Sequence, residues 1–220
     1  MKIKAIITGA SGMIGEGVLH ECLEHDDVEE ILVVGRRSCG YTHPKLKEIV
    51  YADMFNLTSI EDQLKGYNAC FFCLGMSSVG VKEPEFYKVT YELTMHFAHT
   101  LSKLNNEMTF CYISGRGTDS SEKGRLMWAR VKGKTENDLM KLAFKQIYNF
   151  RPGVIKPSKG LKHTLPLYKW MGWMLPIINT IAPQSVVTLK QIGLGMINAA
   201  TKGYHKKVLE VKDIIGLANQ

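Results

Sequence analysis

The sequence lacks the features that would send a chain into or across a membrane. Its opening residues, MKIKAIITG, lead straight into an apolar strand-like stretch, with no long apolar core or small-residue cleavage site of a secretory signal. On that ground the chain reads as cytoplasmic. The most apolar stretch, LPLYKWMGWMLPIINTIAP (165–183), is interrupted by prolines and Lys169 and is too short for a continuous span. It reads as pocket lining or a core cap, with a dimer surface or interfacial contact as alternatives. Disulfide chemistry is equally thin. Cysteines at 22, 39, 70, 73 and 111 have no framework or paired zinc spacing, and the apolar setting of ACFFCLG makes Cys70 and Cys73 core residues. His96 and His99 share a helical face without a nearby carboxylate, so no metal site is expected. Repeats, low-complexity tracts and linkers are missing too.

Acid is scarce in one half. Residues 123–169 are rich in lysine and arginine and oppose them only with Glu136 and Asp138, whereas residues 1–62 hold nearly twice as many acids as bases. The net charge of +7 is therefore lopsided. No nucleic-acid motif accompanies it, so the basic half reads as a solvated face or as the seat of an anionic small ligand. Neither nucleic acid nor membrane is expected as a partner.

What is present is an alternation. IKAIITG, EEILVVGRR, EIVYAD, NACFFCLG, EMTFCYISG and QIYNFRPG read as buried strands. MIGEGVLHECLEH, a long segment opened by Pro84, and residues 126–144 read as helices between them. Alternation of this kind builds βαβ units and a doubly wound parallel α/β sheet covered on both faces. The reading divides the chain into a core over 1–155, a small helical segment over 156–187 for lid or substrate, and a closing helix (188–201) and strand over 188–220.

Between the first strand and first helix, TGASGMIG spaces Gly9, Gly12 and Gly15 three apart. One glycine permits the turn, one lets backbone approach a diphosphate, and one lets helix pack on strand. The loop Thr8–Gly15, with Thr8, Ser11, Met13 and Ile14 among its residues, is thus the expected diphosphate cradle at a helix N-terminus. The second strand ends VVGRRS. It offers Arg36 and Arg37 where an acid would select NAD, and guanidinium suits a ribose 2′-phosphate, so NADP(H) is the expected cofactor.

TGASGMIG, GRR, ADMFNL, FFCLGMS, YISGRGTD, VKGKTE and FRPGVI, in that order, make most of the chain resemble the atypical short-chain dehydrogenase/reductases, in the branch near nucleoside-diphosphate-sugar epimerase-like and TIP30-like proteins. The resemblance implies a Rossmann fold. It implies adenine contacts from Asp53 and Met54, a path beside the adenine ribose for Leu74 and Gly75, and nicotinamide contacts around Pro152 and Val154. Lys132 would hold the nicotinamide ribose. Catalysis in this family uses Tyr-x-x-x-Lys with a Ser or Thr after strand five. Here Trp128 stands at the tyrosine position, four residues before Lys132 and so on its helical face. Ser114 survives, with Gly115 as the other residue matching the family's serine. The sole literal Y-x-x-x-K, Tyr41 to Lys45, contains Pro44 and follows the wrong strand.

An indole does not ionise and cannot be a general acid. The candidate catalytic set is therefore Lys132, Ser114 and Trp128, with Tyr87, Tyr91 or water as substitute proton donors. Two functions compete: an NADP-dependent oxidoreductase or epimerase-like enzyme acting on a small, anionic substrate, and a non-catalytic NADP(H)-dependent regulatory or scaffolding protein. Homodimerisation is compatible with either.

Overall fold

The structure, a computed structural model, describes residues 2–156, 160–162 and 185–220. The expected pocket-lining stretch 165–183 lies outside them. Strands β1 (Ile3–Thr8), β2 (Val28–Gly35), β3 (Leu46–Val50), β4 (Ala69–Phe72), β5 (Thr109–Ile113), β6 (Gln146–Arg151) and β9 (Val208–Glu210) form one sheet in the order β3-β2-β1-β4-β5-β6-β9. Every pairing in it is parallel. Two short strands, β7 (Val154–Lys156) and β8 (Val186–Thr188), pair beside it. The strand order reverses between β1 and β4, and at such a switch point diverging crossovers leave a crevice at the carboxyl ends of the strands.

The sheet is apolar on both faces because it is covered on both. Ile3, Ala5 and Ile7 of β1 face α1 (Met13–Glu24), α5 (Leu189–Thr201) and α6 (Val211–Ala218). Ile6, Cys70, Phe72 and Phe110 face α3 (Leu93–Leu104) and α4 (Met127–Leu139). Strands buried on two sides read as continuous apolar runs, as these do.

Several local features differ from the sequence reading, among them α4, which ends at Leu139 instead of residue 144. The third strand ends at Val50 instead of Asp53, because β2 stops at Gly35 and offers nothing further to pair with. The long helical segment opened by Pro84 is α2 (Glu83–Tyr87), a turn of π spacing over Lys88–Glu92, and α3. The last helix, α6, was unforeseen. It starts directly from β9, with Glu210 and Asp213 exchanging capping hydrogen bonds in place of a Ser or Thr cap. β7 and β8 are also new, and the boundaries at 155 and 187 fall within them.

Candidate functional site

Gly9 has φ of +73°, and a Cβ there would lie 2.7 Å from the Cys73 carbonyl and the Leu74 nitrogen. A Cβ on Gly15 would lie 2.1 Å from the Gly9 carbonyl oxygen. These two glycines are demanded by the chain itself. Gly12 differs, since its Cβ would meet nothing nearer than 3.4 Å. Gly12 is exposed and caps α1 without any side-chain cap, so the first-turn amides of the helix have no side-chain acceptor. A turn held by two packed glycines, with an open third glycine at an uncapped helix start, fits a diphosphate.

The surrounding cleft is lined by Gly9–Gly12, Val33, Gly35, Arg36, Arg37 and Cys73–Gly75. It continues into a cavity of about 340 Å³ walled by Arg36, Ala52–Phe55, Leu74–Met76, Glu85, Val89 and Leu93. Of the predicted cofactor residues, Gly9, Ser11, Gly12, Arg36, Arg37, Asp53, Met54, Leu74 and Gly75 line this continuous space. Thr8 supports it from beneath, its hydroxyl accepting from the Leu74 amide at 3.3 Å. Met13 and Gly15 are buried, and Ile14 is half-buried. Phe55, Glu85 and Val89 were missed. Phe55 adjoins the expected Met54, but Glu85 and Val89 arrive from a helix distant in sequence. Arg36 and Arg37 are exposed, and among the described residues neither has an ion-pair partner within 4 Å.

Lys132 and Trp128 sit on α4 beyond the end of β5. The Lys132 ammonium donates to the Ser114 carbonyl. Burial pushes its pKa down to about 8, against the opposing attraction of Glu136. The residue as a whole is half-buried. Trp128 is half-buried, and its ring edge would stand 3.3 Å from a Cβ on Gly117. Ser114 is 2% exposed, and its hydroxyl donates to the Phe150 carbonyl at 3.1 Å, tying β5 to β6. Tyr91 donates to Asp138 at 2.8 Å, and burial with that carboxylate raises its pKa. Tyr87 packs on Tyr91, with ring centroids 4.7 Å apart. Pro152 is buried and its carbonyl accepts from the Arg116 amide, while Val154 pairs with Val186. Tyr41 and Lys45 go separate ways: Tyr41 donates to Glu16, and Lys45 donates to the carbonyls of Leu23 and His25. Among the described residues no group of His, Cys, Asp or Glu is arranged for a metal.

Beneath α4 lies a buried ion pair. Glu136, 1% exposed, accepts from Arg151 Nε at 3.0 Å and also pairs with Nη2. Arg151 reaches Glu210 at 3.3 Å as well. This pair fastens the helix that carries Lys132 and Trp128 to strand β6.

The chain is similar to Protein HTATIP2 of Rattus norvegicus, 25% identical over 80% of this chain and 76% of the relative. It is also similar to Protein FMP52-2, mitochondrial, of Scheffersomyces stipitis, 29% identical over 70% of this chain and 67% of the relative. Further fungal relatives carry the same mitochondrial designation. Those relatives overturn the cytoplasmic expectation. That expectation rested on the absence of a secretory signal, and mitochondrial addresses are amphipathic and basic instead of strongly apolar. No helix among the described residues is long and apolar enough to cross a membrane. In fold, the chain matches the Bordetella bronchiseptica enzyme WbmF in complex with NAD+, with a TM-score of 0.69, 12% identity and coverage of 99% of this chain and 77% of that one. MoeE5 in complex with UDP-glucose and NAD gives a TM-score of 0.67 at 14% identity, covering 98% and 80%. Residues 5–121, from the first strand into the loop after β5, match the family description "NAD dependent epimerase/dehydratase". A family pattern over more than half the sequence, laid on a Rossmann sheet with its glycine turn at the switch point, means that this chain belongs to the NAD-dependent epimerase/dehydratase family.

Proposed function

We propose that the protein is an NADP(H)-binding member of its family, of the oxidoreductase or epimerase-like class, in which Trp128 replaces the proton-transferring tyrosine. The observation that carries the cofactor choice is at the rim of the cleft. Arg36 and Arg37 border the same space as the glycine turn, are exposed, and have no acid beside them at the end of β2. A phosphorylated ribose would satisfy both charges, whereas the end of β2 offers an unphosphorylated ribose no carboxylate.

In this reading Ser11, Gly12 and the start of α1 hold the diphosphate, with Met13, Ile14 and Gly15 supplying first-turn amides. Asp53 and Met54 border the adenine, and Leu74 and Gly75 run beside its ribose. Lys132 holds the nicotinamide ribose, and Pro152 and Val154 border the nicotinamide. A bound nicotinamide coenzyme supplies hydride acceptance or donation. Trp128 contributes an apolar wall and a single N–H donor, and it moves no proton. Ser114 and Tyr91 already donate elsewhere, to Phe150 and Asp138. That engagement favours a second reading, a cofactor-dependent regulatory protein whose partner affinity differs between cofactor states.

Calorimetry with NADP+ and NAD+ tests the first reading. The protein is expected to bind NADP+ the tighter, and Arg36→Glu is expected to weaken NADP+ roughly tenfold or more while changing NAD+ little. Equal losses for both dinucleotides discard the assignment of the arginines. No heat with either removes the cofactor role itself.

A further inference from the structure

A second cavity opens on the same carboxyl edge of the sheet, beyond β5 and β9. It is lined by Arg116, Ser185, Glu210, Val211 and Lys212. Arg116 is set in the sequence Gly115-Arg116-Gly117, and both flanking glycines have positive φ, +130° and +88°. That backbone makes a sharp turn that a side chain at either flank would strain. The Arg116 amide donates to the Pro152 carbonyl at 2.9 Å, and Gly117 lies against the Trp128 ring. The arginine is therefore held between the tryptophan that replaces the tyrosine and the strand end expected to border nicotinamide.

Its guanidinium is exposed. One nitrogen donates to the Ser185 hydroxyl at 2.5 Å, and among the described residues the other donors of the fork have no side-chain partner. Among the described residues no carboxylate pairs with Arg116 or with Lys212 across the cavity. Glu210, the single acid in the lining, is engaged with Arg151 and with the first turn of α6. Among the described residues the wall thus presents two cations without a carboxylate partner, and a hydroxyl, beside the expected reaction centre.

We propose that Arg116, assisted by Lys212 and Ser185, is the specificity determinant for a substrate bearing a carboxylate or phosphate, gripping that anion while the reacting carbon faces the nicotinamide. This rests on the proposed function, and its test separates the two. Cofactor affinity is measured first, and that value alone judges the cofactor reading. Protein saturated with NADP+, which cannot reduce an aldehyde, is then titrated with 4-carboxybenzaldehyde, 4-formylphenyl phosphate and the neutral methyl 4-formylbenzoate. If neither dinucleotide binds, the same titrations are run on the protein alone.

At least one anionic probe is expected to bind about tenfold more tightly than the ester, and the stronger of the two identifies the anion. Arg116→Ala should abolish that preference without changing ester or NADP+ affinity. Arg116→Lys should restore part of it, and Lys212→Ala should reduce it by about threefold. The substitutions keep the backbone amide that bonds Pro152, and a melting curve confirms folding. Equal binding of ester and anions, failure of both anions to bind, or an Arg116→Ala protein that keeps the preference would each overturn the proposal.

Discussion

Two glycine turns stand on the same edge of this sheet, and they are built on different grounds. In the turn after β1, two glycines have no alternative, because backbone atoms occupy the space a Cβ would need. In the turn after β5, Gly115 has nothing within 4 Å of its would-be Cβ, and Gly117 meets only the edge of Trp128. The first turn is fixed by the packing of strand against helix. The second is fixed by backbone dihedral preference and by the side chain that covers it. A side chain at Gly9 or Gly15 would therefore collide with backbone, whereas one at Gly115 or Gly117 would strain the backbone dihedrals without meeting backbone atoms.

The comparison breaks most sharply at Gly15. Gly15→Ala forces a methyl to within 2.1 Å of the Gly9 oxygen and should destabilise the protein by about 3 kcal/mol or more, read in urea unfolding. Gly12→Ala should leave the unfolding midpoint nearly unchanged yet weaken the dinucleotide roughly a hundredfold, since that Cβ projects where backbone must approach a diphosphate. If the two variants lose stability equally, the distinction between packed and open glycines fails.

Next in size is the ion pair that anchors α4. Glu136→Gln leaves the Arg151 charge buried with a weaker partner and should cost about 3 kcal/mol. It also removes the charge that holds the Lys132 pKa up, so the lysine should titrate below 8 in that variant, as followed by NMR.

Lys132 itself gives a smaller effect with a definite sign. Its folded pKa of about 8 lies below its ordinary value of 10.5, so the unfolded chain binds more protons between those limits. The cost of burying its charge is therefore present in full below pH 8 and fades as pH rises toward 10.5. Lys132→Met should stabilise the protein by about 1 kcal/mol at pH 7, and the gain should vanish near pH 10.5. Dinucleotide affinity of the parent should fall as pH passes 8, and that of the variant should be low and flat.

Least disruptive is Trp128→Tyr, at a half-buried position, with a stability change under about 1 kcal/mol. Its value lies in activity. A parent inert on a broad carbonyl panel, beside a variant that oxidises NADPH, would identify an enzyme site eroded at one residue. A parent that turns over without Ser114, Tyr87 and Tyr91 would assign the proton to water.

The cradle was legible in sequence because its causes are local. Glycine spacing, an apolar run before it and a helical period after it are written within the stretch 3–24. Asp53, Met54, Leu74 and Gly75 came from the family pattern, and the structure places them around one cavity with Arg36. Glu85 and Val89 were not legible, since nothing near them in sequence says that their helical segment passes over this cavity. The engagement of Ser114 with Phe150 depends on β5 lying beside β6, a pairing between residues 36 apart.

By itself, the sequence determined the alternation of strands and helices, the parallel sheet, the glycine turn, the missing acid after β2 and the missing phenol at position 128. These follow from backbone sterics, periodicity and residue chemistry, each of which acts over a few residues. Only the tertiary structure decided that Gly12 is open while Gly15 is packed, that the hydroxyls of Ser114 and Tyr91 are engaged elsewhere, and that Arg116, Ser185 and Lys212 share one wall. Those facts belong to the crossovers, which bring residues far apart along the chain to one edge of the sheet, where burial and partner geometry set what each side chain can do.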